Sequence, residues 1–194
     1  MKKECLLCII FIPILIPLGS ASLPYENTHS VLQDPIKVVT ISLLEKHLTE
    51  IIGSDHVSVI SVLGFSESPF GYVPSVDDTI AVAEADILLS IDLEYLLTQS
   101  YTFTWLEGLL NASGNTDLIQ VDLSRNITMR IDPVMGTVNH HIWTNPLNVR
   151  IIVEDIANEL IKLDPSNEVL YTTNQQTYQN QLDQLIADIT SLAA

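Results

Sequence analysis

Residues 36–63 read IKVVTISLLEKHLTEIIGSDHVSVISVL, and this stretch decides the fold. Ile36–Ile41 is an apolar run rich in β-branched residues, the composition of a strand. Leu43–Ile52 then follows helical spacing and stops at Gly53, after which Val57–Leu63 returns to a strand pattern. Two parallel neighbours need a crossover of about a dozen residues, and the helical stretch supplies one. The segment therefore predicts a βαβ unit.

The same alternation continues outward. Gly64–Pro74 is a loop, and Ser75-Val76-Asp77-Asp78 opens a helix that runs to Glu84. Ser75 is its natural N-cap, and carboxylates in the first turn suit the exposed N–H groups there. Asp86–Ile91 (DILLSI) predicts the third strand and Leu118–Leu123 (LIQVDL) the fourth, separated by a segment containing Trp105–Leu110. Strands alternating with helices imply an open, doubly wound parallel four-stranded sheet, an α/β lobe over residues 36–163. Pro146–Leu163 reads as a helix, Asp164-Pro165 breaks it, and a long helix fills residues 164–194. There Tyr178, Leu182, Leu185, Ile186, Ile189 and Leu192 recur at three- and four-residue steps. Such a stripe needs a cover: either it folds back on the lobe, or it leads into a second one.

At 194 residues the chain holds one sizeable α/β domain, or one domain and a piece of another. Twenty-four acidic against 8 basic residues exclude a phosphate-backbone partner, so no nucleic acid is expected. At the amino end, Met1-Lys2-Lys3 is followed by the apolar run Cys5–Leu18 and by small residues at Gly19-Ser20-Ala21. That is the three-part pattern of a secretory signal peptide over residues 1–21, short of the ~20 apolar residues of a spanning helix. An uncleaved membrane anchor is the alternative. Both cysteines, Cys5 and Cys8, lie within it, so the mature chain is expected to be exported, periplasmic or extracytoplasmic, and free of thiols. Residues 22–35 form a polar, turn-rich leader. Two sequons, at Asn111 and Asn126, matter only in a host that glycosylates exported proteins. No Gly-x-Ser-x-Gly elbow, phosphate-binding Gly loop or Rossmann glycine cluster is present, and the mature chain offers no cysteine nucleophile, so no enzyme is expected.

Six motifs then fall in order along residues 36–194: IKVVT; Gly53-Ser54-Asp55-His56-Val57; Pro69-Phe70-Gly71-Tyr72-Val73-Pro74-Ser75; Ala83-Glu84-Ala85-Asp86; His141-Ile142-Trp143 with Pro146 behind it; and Leu163-Asp164-Pro165-Ser166-Asn167. Together they resemble the exported solute-binding proteins of zinc/manganese-type ABC importers. The resemblance implies two α/β lobes joined by one long helix, with the metal held between them. Mapped on that plan, the chain covers the first lobe and a truncated linking helix, and lacks the second lobe with its ligands. It is then a truncated or split version, or a fragment of something longer.

The resemblance also places the site. His141 stands where the second histidine of the first lobe stands, and a neutral imidazole is a good Zn²⁺ or Mn²⁺ donor. Where the family's loop has its other histidine, this chain has Phe70, whose ring cannot donate. Glu67 and His140 are secondary candidates. Glu67 is either a substitute oxygen ligand or a solvated loop carboxylate. His140 takes the place of the usual proline; in extended chain it points away from its neighbour, which reads as a surface residue or an outer partner. Asn145 replaces the aspartate expected before Pro146. His29, His47 and His56 read as surface residues.

The expected function is thus an exported Zn²⁺- or Mn²⁺-binding protein, or the first half of one, with a degenerate site and weak capture, delivering to an ABC permease. A second-lobe chain, or self-association through the C-terminal helix, would complete it. The alternative is a non-transporting adhesion or interaction domain on the same fold, docking through the stripe Leu182–Leu192.

Overall fold

A computed structural model describes residues 34–98, 104–134 and 136–192. The expected signal segment 1–21, nearly all of the leader, Cys5, Cys8 and His29 lie outside the described residues. Strands β1 (Ile36–Thr40), β2 (Val57–Ser61), β3 (Ile87–Ser90) and β4 (Ile119–Asp122) form one parallel sheet in the order β2-β1-β3-β4. Each is a residue or two shorter than its apolar run, because the last apolar residues curl off the ladder. They stay tied to the neighbouring strand, Val62 N–H donating to Thr40 O and Leu123 N–H to Ser90 O, at 2.9 and 2.8 Å.

Helices cover both faces: α1 (Leu43–Gly53), α5 (Pro146–Leu163) and α6 (Glu168–Leu192) on one, α2 (Val76–Glu84) and α4 (Thr104–Ser113) on the other, with the short α3 (Leu93–Thr98) ahead of α4. Strand alternation sorts the core. Val38, Ile87, Leu89, Val121 and Leu123 join the α1/α5/α6 cluster, while Val39 and Leu88 join the α2/α4 cluster. β3 is buried at every position, as a central strand between two helical layers must be. At the α1–β2 junction a Cβ on Gly53 would lie 2.3 Å from Val57 Cγ1, so a glycine alone lets the strand start that close.

Beyond β4 the sequence pattern is silent on a small antiparallel hairpin, β5 (Arg130–Ile131) with β6 (Val138–Asn139), which delivers the chain to the sheet's C-terminal edge. Two-residue strands are too short to show a period. Asn145, the residue in the aspartate's place, caps α5: its Oδ1 accepts the Leu147 N–H at 3.1 Å, with Pro146 in the first turn.

The long helix folds back. α5 and α6 form an antiparallel pair, tied by Gln179 Nε2 donating to the Arg150 carbonyl and by the Arg150–Asp183 ion pair. With 25 residues against 18, α6 overshoots its partner by about two turns. Tyr178 and Leu182 are therefore packed, whereas Leu185 and Ile189 are 46% and 49% exposed and Leu192 is 89% exposed.

The α5–α6 corner is polar and buried. Asn167 Nδ2 and the Tyr171 hydroxyl donate to Asp164 Oδ2 at 2.6 and 2.9 Å. His56, expected at the surface, is instead half-buried here: its Nδ1 lies 3.1 Å from Asn167 Nδ2 and its ring meets Tyr171 edge-on. Burial pushes the Asp164 carboxyl up, but its hydrogen bonds outweigh this and hold it below the ordinary range. Glu159 behaves alike, with burial opposed by Arg125 at 2.7 Å and Lys162 at 2.9 Å. Both groups bind protons less readily folded than unfolded. Their stabilisation is present above the unfolded carboxylate range and is lost as pH falls through the depressed folded values. Urea unfolding at pH 7 and pH 3 should therefore show a smaller acid loss for Asp164→Asn than for the wild type; an equal loss would remove Asp164 from the acid limb.

Candidate metal-binding cleft

In this strand order the crossovers run in opposite directions about β1: α1 leads from β1 out to β2, and α2 returns from β2 past β1 to β3. The C-terminal ends of β1 and β3 part there, which is where open α/β sheets bind ligands. A cleft of about 560 Å³ opens at that point. Its base comes from the turns after both strands, Ile41–Glu45 and Ser90–Asp92, and one wall from the Leu63–Phe70 stretch. Tyr95 of α3, His140, His141 and Trp143 complete it.

Glu45 lies beneath the cleft as the third residue of α1. Its carboxylate accepts the Ser42 N–H at 2.8 Å and the Ser42 hydroxyl, while Oε1 accepts the Ile91 N–H at 3.1 Å. One buried side chain thus caps a helix and ties the β1 turn to the β3 turn. Burial pushes the Glu45 carboxyl up despite those three bonds. All are made to its own protein, so Glu45 is a buttress for the cleft.

Asp92 follows β3 in the left-handed region at φ 56°, a conformation that Asp tolerates better than most residues. It is 6% exposed, and Oδ2 lies 2.9 Å from His140 Nδ1. The His140 ring stacks on Tyr95, centroids 3.7 Å apart at 27°. Burial raises the Asp92 carboxyl above its ordinary value, with the His140 contact pulling the other way. His140 is therefore half-buried and held from two sides. His141, the next residue, is exposed and lines the cleft: its N–H donates to Asn139 Oδ1 at 2.9 Å and its ring centroid lies 5.3 Å from that of Trp143. Both imidazoles line the same cleft, although they are neighbours in sequence.

The third sequence-derived position behaves differently. Phe70 is 67% exposed and lines the cleft where the loop would carry its imidazole. The loop keeps its shape through other residues. Trp105 Nε1–H donates to the Pro69 carbonyl at 2.8 Å, and the Tyr72 ring meets Trp105 edge-on at 5.1 Å. The Tyr72 hydroxyl lies 3.0 Å from both the Val62 carbonyl and Asp78 Oδ2; burial pushes it up to about 12, with Asp78 adding to the shift. Glu67 lines the cleft too, but one carboxylate oxygen accepts the Gly64 N–H at 2.6 Å and closes its own turn. His47 is exposed on α1, away from this group. Among the described residues, no cluster of three or more His, Cys, Asp or Glu side chains is placed to hold one ion.

Asp92, Tyr95 and Glu45 are the members of this site that sequence reasoning does not single out. Asp92 is 48 residues from His140, and only the sheet order brings the end of β3 beside the chain leaving β6.

Known proteins of the same build share this arrangement of elements. The manganese ABC transporter substrate-binding lipoprotein PsaA of Streptococcus anginosus is 25% identical over 186 residues, which is 95% of this chain and 59% of that protein. The manganese-binding lipoprotein MntA of Halalkalibacterium halodurans is 26% identical over 188 residues, 95% of this chain and 58% of its own length. The chain thus spans a little under three fifths of these curated relatives. Among solved structures, ZnuA superposes with a TM-score of 0.65 at 29% identity, over 78% of this chain and 56% of that one. A zinc-bound ZnuA deletion mutant gives 0.68 at 28% identity, over 80% and 57%. With a family model matching residues 38–194 from β1 to the end of α6, the chain belongs to the family of the zinc-uptake complex component A, periplasmic (ZnuA).

Proposed function

We propose that this chain is a metal-capturing lobe of an exported solute-binding protein, taking Zn²⁺ or Mn²⁺ and handing it to the permease of an ABC importer without chemical change. The observation that carries the reading is the cleft at the β1/β3 switch point with His141 at its mouth, in a chain of the zinc-uptake family. The function needs a donor that holds a cation and lets it go, and a neutral imidazole at an open cleft edge does both. The strongly acidic surface raises the local concentration of cations around it. Lipoprotein relatives support a place outside the cytoplasm, and no helix among the described residues is long and apolar enough to cross a membrane. Phe70 at the loop position makes the site degenerate, so capture by this chain alone is weak, and donors from a second lobe or another chain would tighten it.

Competition titration of the full chain against a chromophoric chelator tests this. Zinc or manganese should bind with a dissociation constant in the micromolar range, and His141→Ala should weaken it by about tenfold or more, the scale of one lost ligand at 1.4 kcal/mol or above. Equal affinity in wild type and variant would remove His141 from the site.

The exposed end of α6 favours a second reading, in which the lobe is an interaction domain rather than a carrier. Sedimentation then shows self-association that Leu185→Glu with Ile189→Glu abolishes, and a strictly monomeric wild type counts against it.

A further inference from the structure

Resting on the metal-capture reading, we propose that His140, through Nε2, is a metal donor of this cleft. It replaces the imidazole that the Pro69–Ser75 loop lacks, with Asp92 and Tyr95 as its positioning residues. The imidazole is oriented before any ion arrives. Against an ionised Asp92 the 2.9 Å contact calls for a proton on Nδ1, and in the neutral ring that tautomer leaves the lone pair on Nε2. The Tyr95 stack at 3.7 Å fixes the ring plane. A metal-bound histidine almost always donates its other N–H to a carboxylate or carbonyl, which sets the tautomer and raises the basicity of the ligating nitrogen. The Asp92–His140 pair has that geometry, with the ring lining the cleft.

The alternative is that the pair exists to satisfy a buried carboxylate. It leaves two features unexplained. Asp92 sits in a left-handed turn that costs a non-glycine residue free energy, and it does so at the switch point of the sheet rather than in the core. Its partner comes from the segment that also carries His141, so the two imidazoles share one cleft. A nitrogen-rich site of this kind prefers Zn²⁺ to Mn²⁺, since imidazole suits zinc and affinity rises from manganese towards zinc in the divalent series. Zinc is therefore the cargo that this pair selects.

The test uses the full chain and zinc ion alone, with manganese beside it. His140→Phe keeps a ring against Tyr95 while removing both nitrogens, and His140→Gln guards against a fold effect specific to that variant; circular dichroism checks both. Each should weaken zinc binding by tenfold or more, and Asp92→Asn by 10- to 100-fold through loss of orientation. Manganese affinity should be lower than that of zinc in the wild type. In the zinc-free protein, long-range nitrogen–proton NMR should show His140 in the Nδ1–H tautomer, a signal that Asp92→Asn removes. If zinc binding is lost in His141→Ala but unchanged in both His140 variants, the metal-capture reading stands and this inference falls. If the wild type takes up neither metal, both fall together.

Discussion

Trp105→Ala should lower the unfolding free energy by about 3–4 kcal/mol, the range for emptying a buried aromatic site. The indole is nearly buried, fills the α2/α4 side of the sheet and carries two contacts to a distant loop: its N–H on Pro69 and its ring against Tyr72. Removing it leaves a cavity beneath α4 and deprives the Pro69–Pro74 turn of two of its anchors, leaving the Tyr72 hydroxyl on Val62 and Asp78. Trp105→Phe is the milder variant, keeping an aromatic ring while losing the hydrogen bond and part of the indole's packing, a change of about 1–2 kcal/mol. Urea unfolding reads both. The same variants test how the cleft works. The turn offers Phe70 and no nitrogen, so zinc affinity in the folded Trp105→Ala protein should change less than tenfold. A larger loss would show that the turn itself contributes to metal capture.

Ile156→Ala should be as damaging from the other face of the sheet. Ile156 is fully buried in the middle of α5, in the cluster that joins β1, β3 and β4 to α1, α5 and α6. Deleting three of its side-chain carbons should cost about 3–4 kcal/mol, a fall in midpoint temperature of roughly 10 °C for a domain of this size. Ile156→Val, which removes one methyl group, should cost about 1 kcal/mol. Leu185→Ala on the overshooting end of α6 is the control: at 46% exposure it should change stability by less than about 0.5 kcal/mol. Thermal unfolding followed by circular dichroism ranks the three, and a Leu185→Ala loss as large as that of Ile156→Ala would mean that the end of α6 is covered in solution.

The readable part of this chain was the part with a period. Ile36–Thr40 and Ile87–Ser90 are strands because β-branched and aliphatic runs bounded by polar turns have few other uses, and α5 matches Pro146–Leu163 because an N-cap and a following proline break mark both ends. Ser75 caps α2 as expected, its hydroxyl accepting the Asp78 N–H while the Asp78 carboxylate reaches back to the Ser75 N–H. The hairpin β5–β6, with two residues in each strand, is too short to carry a period. The stripe on α6 was legible as a stripe, but how much of it is covered depends on the length of α5, which no local pattern on α6 contains.

The cleft divides in the same way. Sequence by itself determined the fold class, the family and the position of His141, since each rests on residues close together in the chain or on motifs in fixed order. It also placed Phe70 where the resemblance expects a histidine. Tertiary structure alone decided what surrounds them: that Glu45 ties two strand ends together, that His56 turns inward to Asn167, and that Asp92 and Tyr95 hold the His140 ring at the switch point. The physical reason is that these partners are 46, 111 and 48 residues apart. Their meeting is set by strand order and helix packing, and hydrogen-bond geometry between distant residues leaves no periodic trace in the residues that make it.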